Sequence, residues 1–284
     1  MRKIALIGGG PAALFMYKRI IEAGDTEIEV HIFEQHEQLG AGMPYSKHGA
    51  TKEHITNVSD NEIPDIKTPI KDWIEKAPQD ILQEYDINPQ NFNEYKVLPR
   101  LMFGQYLTQQ FDTLLSQGRA AITKTIVHYN TKIIDIIDLP EKKQTRVASD
   151  EKQWLFDNVI ICTGHSWPKA LEEKFTNYFE SPYPPHKISL RVNYPVAVRG
   201  ASLTAVDAIR SLSHANGHFT KLEDDTYKYH LNKDSMGFKI VLHSIGALLP
   251  AMRFHLEDTH LTANHLLTYQ EILEIKEKND GFVP

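Results

Sequence analysis

Between two apolar runs, in "MRKIALIGGGPAALFM", Gly8, Gly10 and Ala13 stand in the order G-x-G-x-x-A. This spacing suits a ligand that carries a pyrophosphate. A first glycine permits a tight turn out of a strand, and a second lets the backbone approach phosphate with no side chain between. A small third residue lets helix and strand pack closely. Pro11 and Ala12 then open a helix, whose first turn presents free N–H groups and the positive end of its dipole. Glu34, followed by Gln35, ends the next strand-like run. A carboxylate there can accept both hydroxyls of a ribose. It also opposes a 2′-phosphate, which leaves FAD and NAD for this first turn.

These residues need elements to hold them. Lys3 to Ile7 predicts a short buried strand, and Pro11 to Ala23 a helix with Ala13, Met16 and Ile20 on one stripe. Gly24-Asp25 ends that helix, and "IEVHIF" (28–33) is the next strand. Residues 40–66 read as a long loop, rich in Gly, Asn, Pro and His. Pro99 to Gln117 predicts a second helix, with Phe103, Leu107, Phe111 and Leu114 on one face. "AITKTIVHYN", "TKIIDIIDL", "TRVAS" and "KQWLF" predict a small antiparallel meander, and "NVIICTG" (158–164) a further buried strand ending in a turn. "SPYPPHK" (181–187) is the best linker. A second strand–helix–strand pattern follows it in "PVAVRG", "LTAVDAIRSL" and "FKIVLHS", interrupted by the polar insert 214–237. The fold expected is α/β. It has a Rossmann-like FAD-binding domain over 1–180, with a parallel sheet, helices and the meander, and a smaller, incomplete second Rossmann-like domain over 181–284.

Composition narrows the partners. With a net charge of −6 and scattered basic residues, the chain has no basic patch suited to nucleic acid or an anionic membrane. Its densest basic cluster, "EKKQTR" (141–146), reads as a solvated turn. No apolar run has the length of a membrane span. The N-terminal apolar run breaks at Gly8-Gly9-Gly10-Pro11, too soon for a signal peptide, so the cytoplasm is the expected location. Cys162 is the only cysteine, which excludes a disulfide framework and the dithiol chemistry of flavoprotein disulfide reductases. Fourteen histidines raise the question of a metal. His255, His260 and His265 are spaced by fives and spread over helix faces. His214 and His218 have Gly217 between them, and no H-E-x-x-H occurs. No metal site and no nucleophile elbow is expected. Asp207, two turns into its helix, is read as structural.

"NVIICTGH" (158–165) resembles the second signature of flavoproteins that bind two dinucleotides. With "IGGGPAAL", "LGAGMPYS" (39–46), "TNVSDNEIP" (56–64), "LPRLMFGQYL" (98–107), "RGASLTAVDAI" (199–209) and "HSIGALLPAMR" (243–253), the chain resembles FAD–NAD(P)-binding flavoproteins related to flavin-dependent N-hydroxylating monooxygenases. That resemblance implies FAD as cofactor, with the Thr163-Gly164 turn against it. Gly40, Gly42, Met43 and Tyr45 would lie along the flavin or its ribityl chain. Arg100 would face the FAD phosphates or the flavin edge, and Ile133 would offer its backbone to the adenine. His165 would point at the flavin, as a donor to it or as a structural hydrogen-bonding group. Read from the residues alone, Arg100 is equally a surface arginine and Ile133 equally apolar packing.

The second half departs from the pattern. Gly200-x-Ser202-x-x-Ala205 has serine where the family usually has glycine, and Ile245 stands where related proteins often carry an arginine for the NADP 2′-phosphate. Arg199 and Arg253 are the available substitutes. No Gly-Asp motif follows residue 164, and the chain ends at "NDGFVP" just after a helical segment. Either the natural protein is longer or the fold is reduced. Two functions remain. One is an FAD-dependent oxidoreductase resembling an NAD(P)H-dependent monooxygenase, acting on a small-molecule substrate or electron acceptor. The other is a non-catalytic flavin- or nucleotide-binding module of a larger assembly.

Overall fold

The computed structural model describes residues 1–121, 124–167, 170–224, 226–249 and 267–279. Its centre is a four-stranded parallel sheet in the order β3-β2-β1-β7, from β1 (Arg2–Ile7), β2 (Ile28–Phe33), β3 (Lys124–His128) and β7 (Asn158–Ile161). All six residues of β2 are buried, as expected of a strand covered on both faces.

Helices α1 (Pro11–Glu22) and α4 (Arg100–Ala121) pack against one face. Ile4, Leu6, Val30 and Ile32 meet Leu14, Tyr17, Phe111 and Leu114 there in the main core. The face expected on α4, Phe103, Leu107, Phe111 and Leu114, is buried along its length. Tyr17 and Phe111, both fully buried, stack with ring centroids 5.8 Å apart. Each such burial contributes about 1.5–3 kcal/mol. Two short helices, α2 (Ile70–Glu75) and α3 (Gln79–Glu84), add Ile70, Trp73, Ile74 and Leu82 to the same core.

The other face is covered by an antiparallel sheet of β4 (Asp135–Leu139), β5 (Gln144–Ala148) and β6 (Gln153–Phe156). Ala5, Ile7, Phe33, Val147 and Phe156 form the second core. The meander therefore has three strands, and its expected first member lies elsewhere. The run "KTIVH" supplies β3, which pairs in parallel with β2 (Val30 opposite Thr125). The physical reason is the preceding helix. A 22-residue α4 provides the long crossover that a parallel strand needs and a hairpin strand does not. The basic turn is also shorter than expected: Gln144 to Arg146 belong to β5.

After the Pro-rich segment come β8 (Pro195–Arg199), α5 (Leu203–Asn216) and β11 (Lys239–His243), with β8 and β11 paired in parallel. The insert folds as an antiparallel hairpin of β9 (Gly217–Lys221) and β10 (Tyr227–Leu231). A final helix, α6, spans Tyr269–Lys278. The segment read as a linker is packed down, with Ser181 and Pro185 buried. No described helix is long and apolar enough to cross a membrane. Among the described residues no group of three or more His, Cys, Asp or Glu is placed to hold a metal ion. Arg253, His255, His260 and His265 lie outside the described residues.

Candidate functional site

In this sheet the strand order reverses at β1, whose neighbours are β2 on one side and β7 on the other. Ligands of open parallel sheets bind beyond the carboxyl ends of the strands at such a switch point. A cavity of about 610 Å³ lies there, within the range of cofactor sites.

Three strand ends supply its floor. Gly8, Gly10, Pro11 and Ala12 come from the β1–α1 turn, Glu34 and Gln35 from the end of β2, and Thr163, Gly164 and His165 from the end of β7. Gly42, Met43 and Tyr45 come from the long loop and Ile133 from the entry to β4. Gly8 has φ +100, and a Cβ there would strike the Cys162 carbonyl. The turn is thereby pressed against the end of β7, where the Cys162 N–H donates to the Ile7 carbonyl at 2.7 Å. At Gly10 a Cβ would meet only Gly42, with Cα at 3.3 Å. The space above Gly10 is cavity, which suits close approach of a ligand backbone.

Glu34 is 7% exposed, and both its oxygens are in use. Oε2 accepts the Gly9 N–H at 2.8 Å and Oε1 the His36 N–H at 2.9 Å. A carboxylate has about four acceptor positions, so each oxygen keeps one for a ribose hydroxyl. No side chain caps α1 and its first turn holds no acid, which leaves its free N–H groups to an anion. The cations lining the cavity are Lys47 and Lys132. The rings of His36 and His48 stack at 4.1 Å between the end of β2 and the long loop. Cys162 also lines the cavity, and burial pushes its thiol above the ordinary range, so it stands as a neutral thiol rather than a nucleophile. A glycine turn without side-chain obstruction, an acid with spare acceptor positions and an uncapped helix start fit an adenine dinucleotide such as FAD.

Five of the residues named from the sequence stand outside this cavity, two of them, Gly200 and Ser202, expected at the second turn. Ala13 is fully buried between helix and sheet. Gly200 and Ser202 form the turn into α5, where Ser202 is exposed and its side chain caps nothing. Arg100 is neither at the cavity nor on the surface. It is 9% exposed, and its guanidinium pairs with Asp207 at 2.7 Å, donates to the Ile55 carbonyl at 2.8 Å and donates to the Tyr183 hydroxyl at 3.2 Å. Asp207, read as structural, is its counter-ion, and a carboxylate 107 residues away has no local signal. Gly40 also serves packing, since a Cβ there would run into the Leu107 backbone of α4.

Other lining residues escaped the sequence reading. Leu101, Gly104 and Gln105 line the cavity from the first two turns of α4. Their spacing of three and four marks a second helical face beside the core stripe, and that was the available signal. Lys47, His48 and Lys132 sit in loops, where periodicity says nothing.

The family model for FAD-NAD(P)-binding proteins matches residues 5–166, and the chain belongs to that family. The uncharacterized protein YdhS of Escherichia coli (strain K12) is 27% identical over 287 aligned positions, covering 100% of this chain and 53% of that protein. The chain thus spans about half the length of the curated relative it matches. Among solved structures, cyclohexanone monooxygenase in its closed form aligns with 76% of this chain and 37% of its own, at 14% identity and a TM-score of 0.46. S-allyl-L-cysteine S-oxygenase from Allium sativum aligns with 75% of this chain and 49% of its own, at 15% identity and a TM-score of 0.46. Overlaps this partial say nothing about a reaction.

Proposed function

We propose that the chain is an FAD-dependent oxidoreductase whose 1–180 portion holds FAD and whose 181–284 portion receives a reduced nicotinamide nucleotide. The observation that supports it is the convergence on one cavity of the glycine turn, Glu34 and the Thr163-Gly164 turn, from three strand ends. In this reading Glu34 accepts the adenosine ribose hydroxyls. The Gly10–Ala12 backbone receives the pyrophosphate, with Lys47 and Lys132 as the cations within reach of the cavity. Met43, Tyr45 and His165 orient the flavin end. FAD, when bound, supplies hydride acceptance from the nicotinamide and electron delivery to O₂ or a small-molecule acceptor. The Gly200–Leu203 turn at the start of α5 offers the second nucleotide an exposed helix N-terminus.

A rival reading is a non-catalytic flavin-binding module, and Ile245 favours it. That residue is fully exposed where a phosphate-binding arginine would serve, and Ser202 narrows the approach to the second turn. Anaerobic titration of the FAD-loaded protein with NADH and with NADPH separates the two. The oxidoreductase reading expects bleaching of the flavin absorbance, without strong preference for NADPH, and more of it with NADPH in the Ser202→Gly, Ile245→Arg double variant. A flavin that stays oxidised under both nucleotides, in both proteins, supports the module instead.

A further inference from the structure

The first two turns of α4 face two ways. Leu101, Gly104 and Gln105 line the cavity, while Arg100 beside them forms the ion pair with Asp207 of α5. Of the lysine or arginine pairs with carboxylates among the described residues, this one is the most enclosed, with side chains 11% and 5% exposed. A second line of contact leads to the same aspartate. His165 lines the cavity, its ring lies 6.0 Å from that of Trp167, Trp167 lies 5.1 Å from Tyr183, and the Tyr183 hydroxyl donates to Asp207. One helix turn further along α5, the Ser211 hydroxyl meets Nε2 of the fully buried His54 at 3.0 Å.

The seat of α5 is thus mostly polar. Of its five buried residues, Asp207, Ser211 and Asn216 are polar and only Ala205 and Leu212 are apolar. Asn216 bonds within its own unit, to Leu190, Val192 and Leu212. Directional bonds from Arg100, Tyr183 and His54 therefore fix where α5 sits against α4, where a greasy interface would let it slide.

We propose that Arg100 and Asp207 are positioning residues that couple the FAD cavity to the second nucleotide's docking turn. FAD packed against Leu101, Gly104 and Gln105 steadies the first two turns of α4. Arg100 carries that constraint to Asp207, and α5 holds the Gly200–Leu203 turn at a fixed station. This rests on the cofactor reading above. Coupling through a shared element acts in both directions, so a seated α5 also favours a filled cavity.

Hydrogen exchange on the full chain, with and without FAD, tests it. In the wild type, FAD slows exchange at least fivefold both in residues 3–14, at the glycine turn, and in 203–216, along α5. Asp207→Asn keeps the shape and still accepts from Tyr183 but removes the charge. It keeps the slowing in 3–14 and loses it in 203–216. His214→Ala, on the exposed side of the same helix and outside these bonds, keeps both. Should Asp207→Asn fail to fold, the Arg100→Met, Asp207→Leu double variant fills the same space without charge and is expected to behave as Asp207→Asn does. A merely structural pair would change exchange in α5 equally with and without FAD, and that result overturns the proposal. So does FAD-independent exchange of 203–216 in the wild type. If FAD leaves 3–14 unchanged, the cofactor placement itself is wrong and the coupling falls with it, a result distinct from the other two.

Discussion

The Glu34 carboxylate accepts the Gly9 N–H at 2.8 Å, so the glycine turn and the acid that ends β2 are one hydrogen-bonded unit. Removing the acid therefore has two effects. Glu34→Ala takes away the proposed ribose contacts, charge-assisted bonds worth about 1.5–3 kcal/mol, and FAD binding should weaken roughly tenfold to a hundredfold. It also strips the Gly9 and His36 N–H groups of their acceptor, so the melting temperature without FAD should fall as well. Fluorescence titration with FAD and a thermal melt read the two separately. An unchanged dissociation constant beside a lowered melting temperature would make Glu34 a purely structural brace.

Gly8 and Gly10 should respond oppositely to the same substitution. At Gly8 a methyl group meets the Cys162 backbone, and φ is +100. Gly8→Ala should melt well below the wild type whether or not FAD is present. At Gly10 the backbone is ordinary, with φ −79, and only Gly42 stands near. Gly10→Ala should fold with a nearly unchanged melt and lose FAD affinity at least tenfold. Full FAD affinity in Gly10→Ala would remove the pyrophosphate from this turn.

His54 ties stability to mild acid. Burial lowers its pKa below the ordinary 6.5, opposed by Asp207 and Glu53, while the charge of Arg100 lowers it further. Thr51 N–H points at Nδ1 at 3.4 Å, leaving no room for a second proton there. The folded chain holds His54 neutral, whereas the unfolded chain protonates it as pH falls through 6.5. Its contribution is present above that pH and lost below it, with a slope of at most one proton, about 1.4 kcal/mol per pH unit. Melts between pH 7.5 and 5 should show this decline in the wild type and a shallower one in His54→Gln. Parallel curves for the two proteins would place the acid sensitivity elsewhere.

Asp60 acts in the opposite sense. Burial, with Asp65 and Glu94 nearby, pushes its carboxyl up to about 6 from an ordinary 3.8. The folded chain keeps a proton that the unfolded chain releases, so stability is lost as pH rises from 3.8 to 6 and the penalty is complete above. Asp60→Asn should melt higher than the wild type at pH 8 and equally at pH 3.5. Identical melts at pH 8 would show that the carboxylate is solvated there at no cost.

The turn at Gly8, the helix behind it and the strands on either side were legible because each is specified by its own neighbours: a proline at the first helical position, an apolar run, a strand-ending acid. The family resemblance extended that reading to Met43, Ile133 and His165. What local pattern could not show is what a residue meets after the layers close. Arg100 opens α4 as any exposed arginine would, and its counter-ion waits on a different helix. "KTIVH" reads as a meander strand would, and only the crossover through α4 assigns it to the parallel sheet. The hairpin within 214–237 was hidden for a similar reason, since its polar strands are largely exposed and carry little alternation.

The placement of β1 in the middle of its sheet sets a timetable for synthesis. Lys3 donates its N–H to Asp157 across 154 residues of chain. Until β7 has emerged from the ribosome, the strand that carries the glycine turn has a bare hydrogen-bonding edge and its turn lacks the wall at Cys162. A nascent or truncated chain ending before Ile161 holds the glycine-turn signature complete in sequence and incomplete in space. Its open edge on β1 is an invitation to pair with another chain, and β7, the last strand of this sheet to be made, both finishes the cavity and covers that edge.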